Sequence, residues 1–201
     1  MSELLAKERL IFRQKVKLLE MNQEFKIWDE SGAEVGTIRQ EGQSGLKMAA
    51  RLVTSLDQYM THTLAVYDVS GAKVCELTRP RKIFKSRLTV KDATGRDAGT
   101  IAQANVFGKI RFDLHGRMGE PLGQIRAENW RAWNFSVVDP TEREVARITK
   151  TWEGLAKTMF TPADNYVLEI DPSVTGDLRL LVLASAAGVD VALKQDSRGF
   201  N

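Results

Sequence analysis

The chain has 201 residues, 43% of them hydrophobic and 27% charged, ordinary globular usage that excludes a disordered or collagen-like polypeptide. One cysteine and two distant histidines, His62 and His115, exclude a disulfide framework and a cysteine- or histidine-rich metal centre. Lys and Arg number 29 against 26 Asp and Glu, a net charge of +3 that is too mild to imply nucleic acid and matters only where the cations cluster.

The N-terminus, MSELLAKERLIFRQKVKLL, is interrupted by acidic residues and lacks an apolar core followed by a small-residue cleavage site. A cytoplasmic location is expected, with Cys75 a free thiol. Lys7, Arg9, Arg13, Lys15 and Lys17 interleave with Leu4, Leu5, Leu10, Ile11 and Phe12. This pattern reads as a first strand with a polar lead rather than as a membrane contact.

Five segments then repeat one pattern, beginning at Phe25, Leu64, Leu88, Phe112 and Phe135. Each opens with apolar residues two apart (Phe25/Ile27, Leu64/Val66, Leu88/Val90, Phe112/Leu114, Phe135/Val137), the alternation of a half-buried strand. Asp29, Asp68 and Asp92 each stand three residues before a glycine, which suits a type I turn. In the fourth copy Gly116 takes the Asp place, and in the fifth Glu142 takes the Gly place. In each return strand two apolar residues lie three apart, as in Val35/Ile38 and Val74/Leu77, and a small residue follows the first: Gly36, Cys75, Gly99, Gly123, Ala146. Strict alternation would put such a pair on opposite faces, whereas one extra residue in a β-bulge returns both to one face. Cys75 thus fills a packing slot. A sixth hairpin is expected from Leu155–Phe160 and Tyr166–Ile170.

About twelve strands with short connections predict a mainly β protein, a closed antiparallel barrel built from hairpin repeats over about 10–171. After Asp171-Pro172 the sequence turns helical over about 177–194, with Asp177 as expected N-cap and a short polar tail at 195–201. From Leu178 to Leu193 only Arg179, Ser185, Gly188 and Asp190 are not apolar. A helix apolar all round must be surrounded, and a twelve-stranded barrel is too wide to fill with its own side chains. The helix is therefore placed inside the barrel, in a single domain spanning 1–201. Its longest uncharged run is half of what a membrane span requires.

The stretch from Ala146 to Leu193 resembles the C-terminal half of the phospholipid scramblases. The residues that carry this are Ile148, Lys150, Trp152, Gly154, Phe160-Thr161, Ala163-Asp164-Asn165 and the apolar helix with Asp190. Arg79-Pro80 and the Asp-turn hairpins fit the same family. The chain looks like a bacterial member of the scramblase and LURP-one-related group, over nearly all of residues 10–195. The resemblance implies the tubby-like fold, a twelve-stranded barrel around a central C-terminal helix. It also implies lipid-related work at membranes: family members are described as calcium-dependent movers of phospholipid, and tubby proteins bind phosphoinositides through basic residues.

In the segment matching the family's calcium loop, only Asp164 keeps a carboxylate at a ligand position; Glu169 and Asp171 are off register. No cofactor is expected, calcium included. The densest cationic run holds Arg79, Arg81, Lys82, Lys85, Arg87 and Lys91, with Ile83 and Phe84 among them and no acidic residue. Such a run suits an anionic phospholipid surface. It lacks the aromatic platform that single-stranded nucleic acid requires. Of Trp28, Trp130, Trp133 and Trp152, one is expected to be exposed. His115 and Asp113 share the outward face of one strand and read as solvated. Phosphate-loop and nucleophile-elbow motifs are missing, so the chain does not read as an enzyme. Two readings follow: a membrane-peripheral phospholipid-binding barrel of scramblase type, with assistance to lipid movement between leaflets as the activity the resemblance implies, or a soluble structural or protein-interaction barrel without lipid activity.

Overall fold

The computed structural model describes residues 2–14, 24–41, 62–80, 87–105, 108–128, 134–149 and 165–196. A short 3-10 helix (Glu3–Ala6) leads into twelve strands: β1 (Arg9–Gln14), β2 (Glu24–Asp29), β3 (Glu34–Glu41), β4 (His62–Asp68), β5 (Lys73–Arg79) and β6 (Arg87–Asp92), then β7 (Asp97–Gln103), β8 (Arg111–Gly116), β9 (Pro121–Ala127), β10 (Phe135–Val138), β11 (Glu144–Thr149) and β12 (Asn165–Ile170). Each pairs antiparallel with its sequence neighbours, and β1 pairs with β12 to close a barrel. A helix, α1 (Gly176–Asp196), follows.

Twelve described strands close the barrel, as the hairpin repeats predict. The partner that closes the barrel on β12 is the N-terminal strand β1, in register Leu10↔Leu168 and Phe12↔Tyr166. The expected strand at Leu155–Phe160 lies outside the described residues.

The alternating residues of all five repeats point inward. Ile27, Val66, Val90, Leu114 and Val137 are fully buried. Most outward positions are polar or charged, with Ile11, Trp28 and Val167 a short apolar row across three strands, and many are paired across strands, as Arg9 with Glu169 and Lys26 with Glu34. This polarity is the inverse of a membrane-spanning barrel, whose outer face is an apolar band. Among the described residues no helix is long and apolar enough to cross a membrane.

Every hairpin carries the bulge that its spacing implies. The register slips at Ile27/Trp28, Val66/Tyr67, Val90/Lys91, Leu114/His115 and Val137/Val138, and the residue opposite the slip is Gly36, Cys75, Gly99, Gly123 or Ala146. Gly99 shows why the slot is small. Its φ is +152°, and a Cβ there would stand 2.2 Å from the His115 carbonyl oxygen on β8. Gly99→Ala is expected to lower stability by about 2–4 kcal/mol, from forced backbone movement plus an unfavourable φ. At Gly32, where a Cβ meets nothing within 4 Å, the same change should lose about 1 kcal/mol. Urea denaturation of both variants checks the ordering.

The turns use one chemistry. The Asp92 carboxylate accepts from the Thr94 amide (2.8 Å), the Thr94 hydroxyl (2.6 Å) and the Arg96 amide (3.1 Å), and Asp29, Asp68 and Asp139 do the same in their own turns. These hydrogen bonds hold the Asp92 carboxyl down at about 2, so its contribution is complete above the ordinary carboxylate range and fades as pH falls through about 2. In the fourth turn Gly116 replaces Asp, and Glu120 substitutes from the other side. Its carboxylate accepts from the Met118 amide (3.0 Å) and occupies the space a Gly116 side chain would need. In the fifth turn Glu142 takes the left-handed conformation itself, at φ 66°.

Helix α1 starts at Gly176, one residue earlier than expected, and Asp177 sits inside its first turn rather than capping it. Leu180 to Ala187 are buried on every side. The slim residues allow this. A Cβ on Gly188 would lie 2.8 Å from Leu88 and 3.3 Å from Leu77, both on the barrel wall. Arg179 is also buried, and its guanidinium donates to the main-chain carbonyls of Leu5, Lys7 (2.6 Å) and Val174 (3.0 Å). It ties the N-terminal segment to the base of the helix. The five tight turns, this N-terminal segment and the start of α1 gather at one end of the barrel. The connections after β1, β3, β5, β7, β9 and β11 leave from strand ends at the other.

Candidate functional site

Charge on the barrel wall is mostly neutralised in place. Nine cations with described side chains form ion pairs, among them Lys73 with Glu41 and Glu76, Arg126 with Glu142, and Arg147 with Glu128 and Glu144. Arg179 is engaged by carbonyls, and Arg13, Arg39 and Arg79 also have partners. Among the residues with described side chains, four cations remain outside any ion pair: Arg87, Lys91, Lys109 and Arg111. All four belong to the sector β6–β8.

Three of them sit at the end away from the turns. Arg87 opens β6 and is exposed. Lys109 and Arg111 are exposed where the chain enters β8. Asn105 shapes that entry: its side-chain amide donates to the Lys109 carbonyl (2.8 Å) and its oxygen accepts the Arg111 amide (2.9 Å). Arg87 is level with Ala102 and Ala102 with Asp113, so Arg87 and Arg111 are two strands and two residues apart, roughly 12 Å between Cα atoms. Lys91 is different. It lies four residues along β6, about 13 Å from Arg87, one position before the turn, and is flanked in register by Glu76 and Asp97.

The six-cation run is therefore not one surface. Arg79 is 3% exposed, because it shares the inward parity of Cys75 and Leu77 on β5. In that position it cannot reach a flat surface, which corrects its expected role. Arg81, Lys82 and Lys85 lie outside the described residues, as do Ile83 and Phe84. Lys109 and Arg111 went unnoticed in the sequence because two cations one residue apart do not stand out as a run. The available signal was the absence of an acid across the short β7–β8 connection.

The other candidates resolve more simply. Asp164 lies outside the described residues. Among those described, no three His, Cys, Asp or Glu side chains cluster to hold a metal. Asp113 and His115 do share the outward face of β8, and the Asp113 carboxylate accepts from Gln124 (2.7 Å). The Cys75 thiol is fully buried, and burial pushes it up to about 12, so it is a packing group. Trp28 is half-buried beneath Lys26, whose ammonium stands 5.8 Å from the ring centroid; Trp130, Trp133 and Trp152 lie outside the described residues. A cleft of about 760 Å³ opens at the turn end between the N-terminal segment, two hairpin turns and the start of α1, with Leu5, Val74, Val174 and Leu180 in its walls. Its cations are all engaged: Lys73 and Arg96 by carboxylates, Arg179 by carbonyls.

Comparison with known proteins agrees with this architecture. The scramblase family model matches residues 1–193. A phospholipid scramblase family protein of Schizosaccharomyces pombe is 24% identical over 184 residues, which cover 82% of this chain and 46% of that protein. The chain thus spans less than half the length of this relative. The X-ray structure of a protein from Arabidopsis thaliana superposes with a TM-score of 0.51 at 14% identity, covering 94% of this chain and 96% of the other, and shows the same fold. The match over nearly the whole length, on a twelve-stranded barrel around a C-terminal helix, makes the chain a member of the scramblase family.

Proposed function

We propose that the protein is a peripheral phospholipid-binding module, of the LURP-one-related branch and bacterial in origin, that works as one domain at the cytoplasmic face of a membrane. It attaches to anionic headgroups through exposed cations at the end of the barrel away from the tight turns. The observation that carries the reading is the placement of Arg87, Lys109 and Arg111. On a wall where other cations are neutralised by neighbours, these three are left available, beside the strand ends joined by Arg81, Lys82 and Lys85. A free cation near an anionic surface contributes about 1 kcal/mol, whereas a paired one brings its own anion along.

Binding rather than catalysis fits the site. The barrel interior is filled by α1 over Leu180–Gly188, which leaves the surface as the place where lipid is met. No cofactor is assigned to it.

Co-sedimentation with vesicles tests the reading. The protein should bind phosphatidylserine-containing vesicles, release as salt shortens the ~8 Å Debye length, and ignore pure phosphatidylcholine. Replacing Arg87, Lys109 and Arg111 together with Ser should weaken partitioning by about 3 kcal/mol, roughly 150-fold, with thermal stability nearly unchanged. Wild-type binding by the triple variant, or indifference of the native protein to anionic lipid at low salt, would favour the soluble interaction barrel.

A further inference from the structure

The turn chemistry that builds the hairpins also loads one end of the molecule with negative charge. The N-terminal segment 2–8, the five turns (29–34, 68–73, 92–97, 116–121, 139–144) and the lead into α1 (171–177) hold fourteen Asp and Glu against five Lys and Arg. That end carries a net −9 in a chain whose total is +3, so the rest of the molecule carries +12. The imbalance is structural. Asp29, Asp68, Asp92 and Asp139 accept the hydrogen bonds that close their turns, and these bonds, preceded at Asp29 by the one from the Lys7 ammonium, hold their carboxyls below the ordinary range. The unpaired cations Arg87 and Lys109 stand at the opposite end, with Arg111 beside them, near enough to Glu142 of the fifth turn for the two charges to act on each other. Strands of four to eight residues, tilted in the barrel wall, separate the two ends by roughly 15 Å along the axis, about two Debye lengths at physiological salt.

We infer that the barrel docks end-on: its axis stands across an anionic bilayer, the strand ends near Arg87 and Arg111 face the headgroups, and the acidic turns face away. The inference rests on the proposed lipid binding and adds the orientation and the charge asymmetry that sets it. A net dipole along the barrel axis turns the molecule during approach, before any contact forms. Lying on its side would bring the carboxylates of the turn end within a Debye length of the membrane, and like charge repels. The N-terminal segment and the apolar cleft beside it then stay on the aqueous side.

Two exposed positions read the orientation. Pro80 follows β5 at the cationic end, and Met118, 90% exposed, tips the fourth turn. With Cys75 buried, Pro80→Cys or Met118→Cys gives one labelling site for an environment-sensitive dye. On vesicles of phosphatidylcholine and phosphatidylserine, the dye at position 80 should shift to the blue and become shielded from aqueous iodide. The dye at 118 should do neither. A second variant reads the charges without a label. Glu3→Gln, Glu30→Gln and Asp97→Asn together neutralise exposed groups of the far end, and at physiological salt should change vesicle partitioning less than about twofold. Sedimentation with a response at 118, or several-fold tighter binding by the neutralised variant, overturns end-on docking and leaves lipid binding standing. Failure of the native protein to sediment with anionic vesicles at low salt overturns both.

Discussion

A chain ending at Asp171 should form no cooperatively folded barrel. The truncation removes α1, whose residues from Leu180 to Ala187 are all buried within the β wall. Twelve strands enclose more space than their own inward side chains fill, so without the helix the inner faces of β5 to β8 and β12 meet water or collapse. The apolar burial lost exceeds the ~5–15 kcal/mol that separates a typical domain from its unfolded state. Expected observations are inclusion bodies or a soluble chain with no unfolding transition. Leu181→Asp isolates the same effect in the full chain. Leu181 is fully buried, and its side chain reaches β7 near Gly99. A carboxylate there has no partner and forfeits a leucine's burial, so loss of the native fold is expected. Leu181→Ala gives a graded companion at about 3 kcal/mol, measurable in urea. A soluble truncation with a sharp thermal transition would show that the barrel stands without its helix.

Much of this fold was legible because it repeats. Asp at one position, a residue tolerating positive φ three later, and a small residue at the bulge recur with the spacing that barrel walls require. Five copies make a pattern that one would not. The bulge at Val74-Cys75 could be placed because spacing three between apolar residues contradicts strict alternation, and only an inserted residue reconciles the two. Closure was harder to read. β1 pairs with β2 on one side, but its other pairing, with β12, joins residues such as Arg9 and Glu169 across most of the chain. No local signal encodes such a contact. The substitution of Glu120 for the missing turn Asp was hidden for a related reason: its carboxylate reaches back over Gly116, so the residue doing the work stands on the far side of the turn.

The cationic site was legible only in part. A sequence shows how many charges lie together but not which are already paired. Arg79 counts as a cation in the run, yet strand parity turns it inward. Arg9 and Arg147 are equally basic, but Glu169 on the adjoining strand neutralises the first, and Glu144 on its own strand with Glu128 just past β9 neutralise the second. Lys109 and Arg111 gain weight by subtraction, because neither forms an ion pair, although Arg111 feels the Glu142 carboxylate at longer range. Polarity along the barrel axis likewise needs topology, since the turns that hold the acids are scattered along the sequence and meet only at one end.

Arg179→Met should lower stability by about 3–5 kcal/mol, a large loss for one side chain far from the lipid-facing end. The guanidinium is 7% exposed, and burial lowers its affinity for the proton. Its donors serve the carbonyls of Leu5, Lys7 and Val174, with Asp171 at 3.5 Å. The Glu8 carboxylate acts on it only at a distance and forms no ion pair with it, so most of the stabilisation comes from the main-chain acceptors. Met fills similar volume and regains apolar contact, which offsets part of the loss, but it leaves those carbonyls unsatisfied at about 1–3 kcal/mol each. Arg179→Lys should fall between, because one ammonium cannot span acceptors on both the N-terminal segment and the approach to α1. The damage should concentrate there. Leu4 is 1% exposed and packs against β3, and the segment that holds it is fastened by Ser2 to Asp68, Lys7 to Asp29 and Arg179. Hydrogen exchange over residues 2–8 should therefore rise in Arg179→Met before the barrel strands lose protection, and protease should clip this segment first. A variant within about 0.5 kcal/mol of the native protein, with unchanged exchange at the N-terminus, would mean that Leu4 and the two side-chain anchors hold the barrel's end without the arginine.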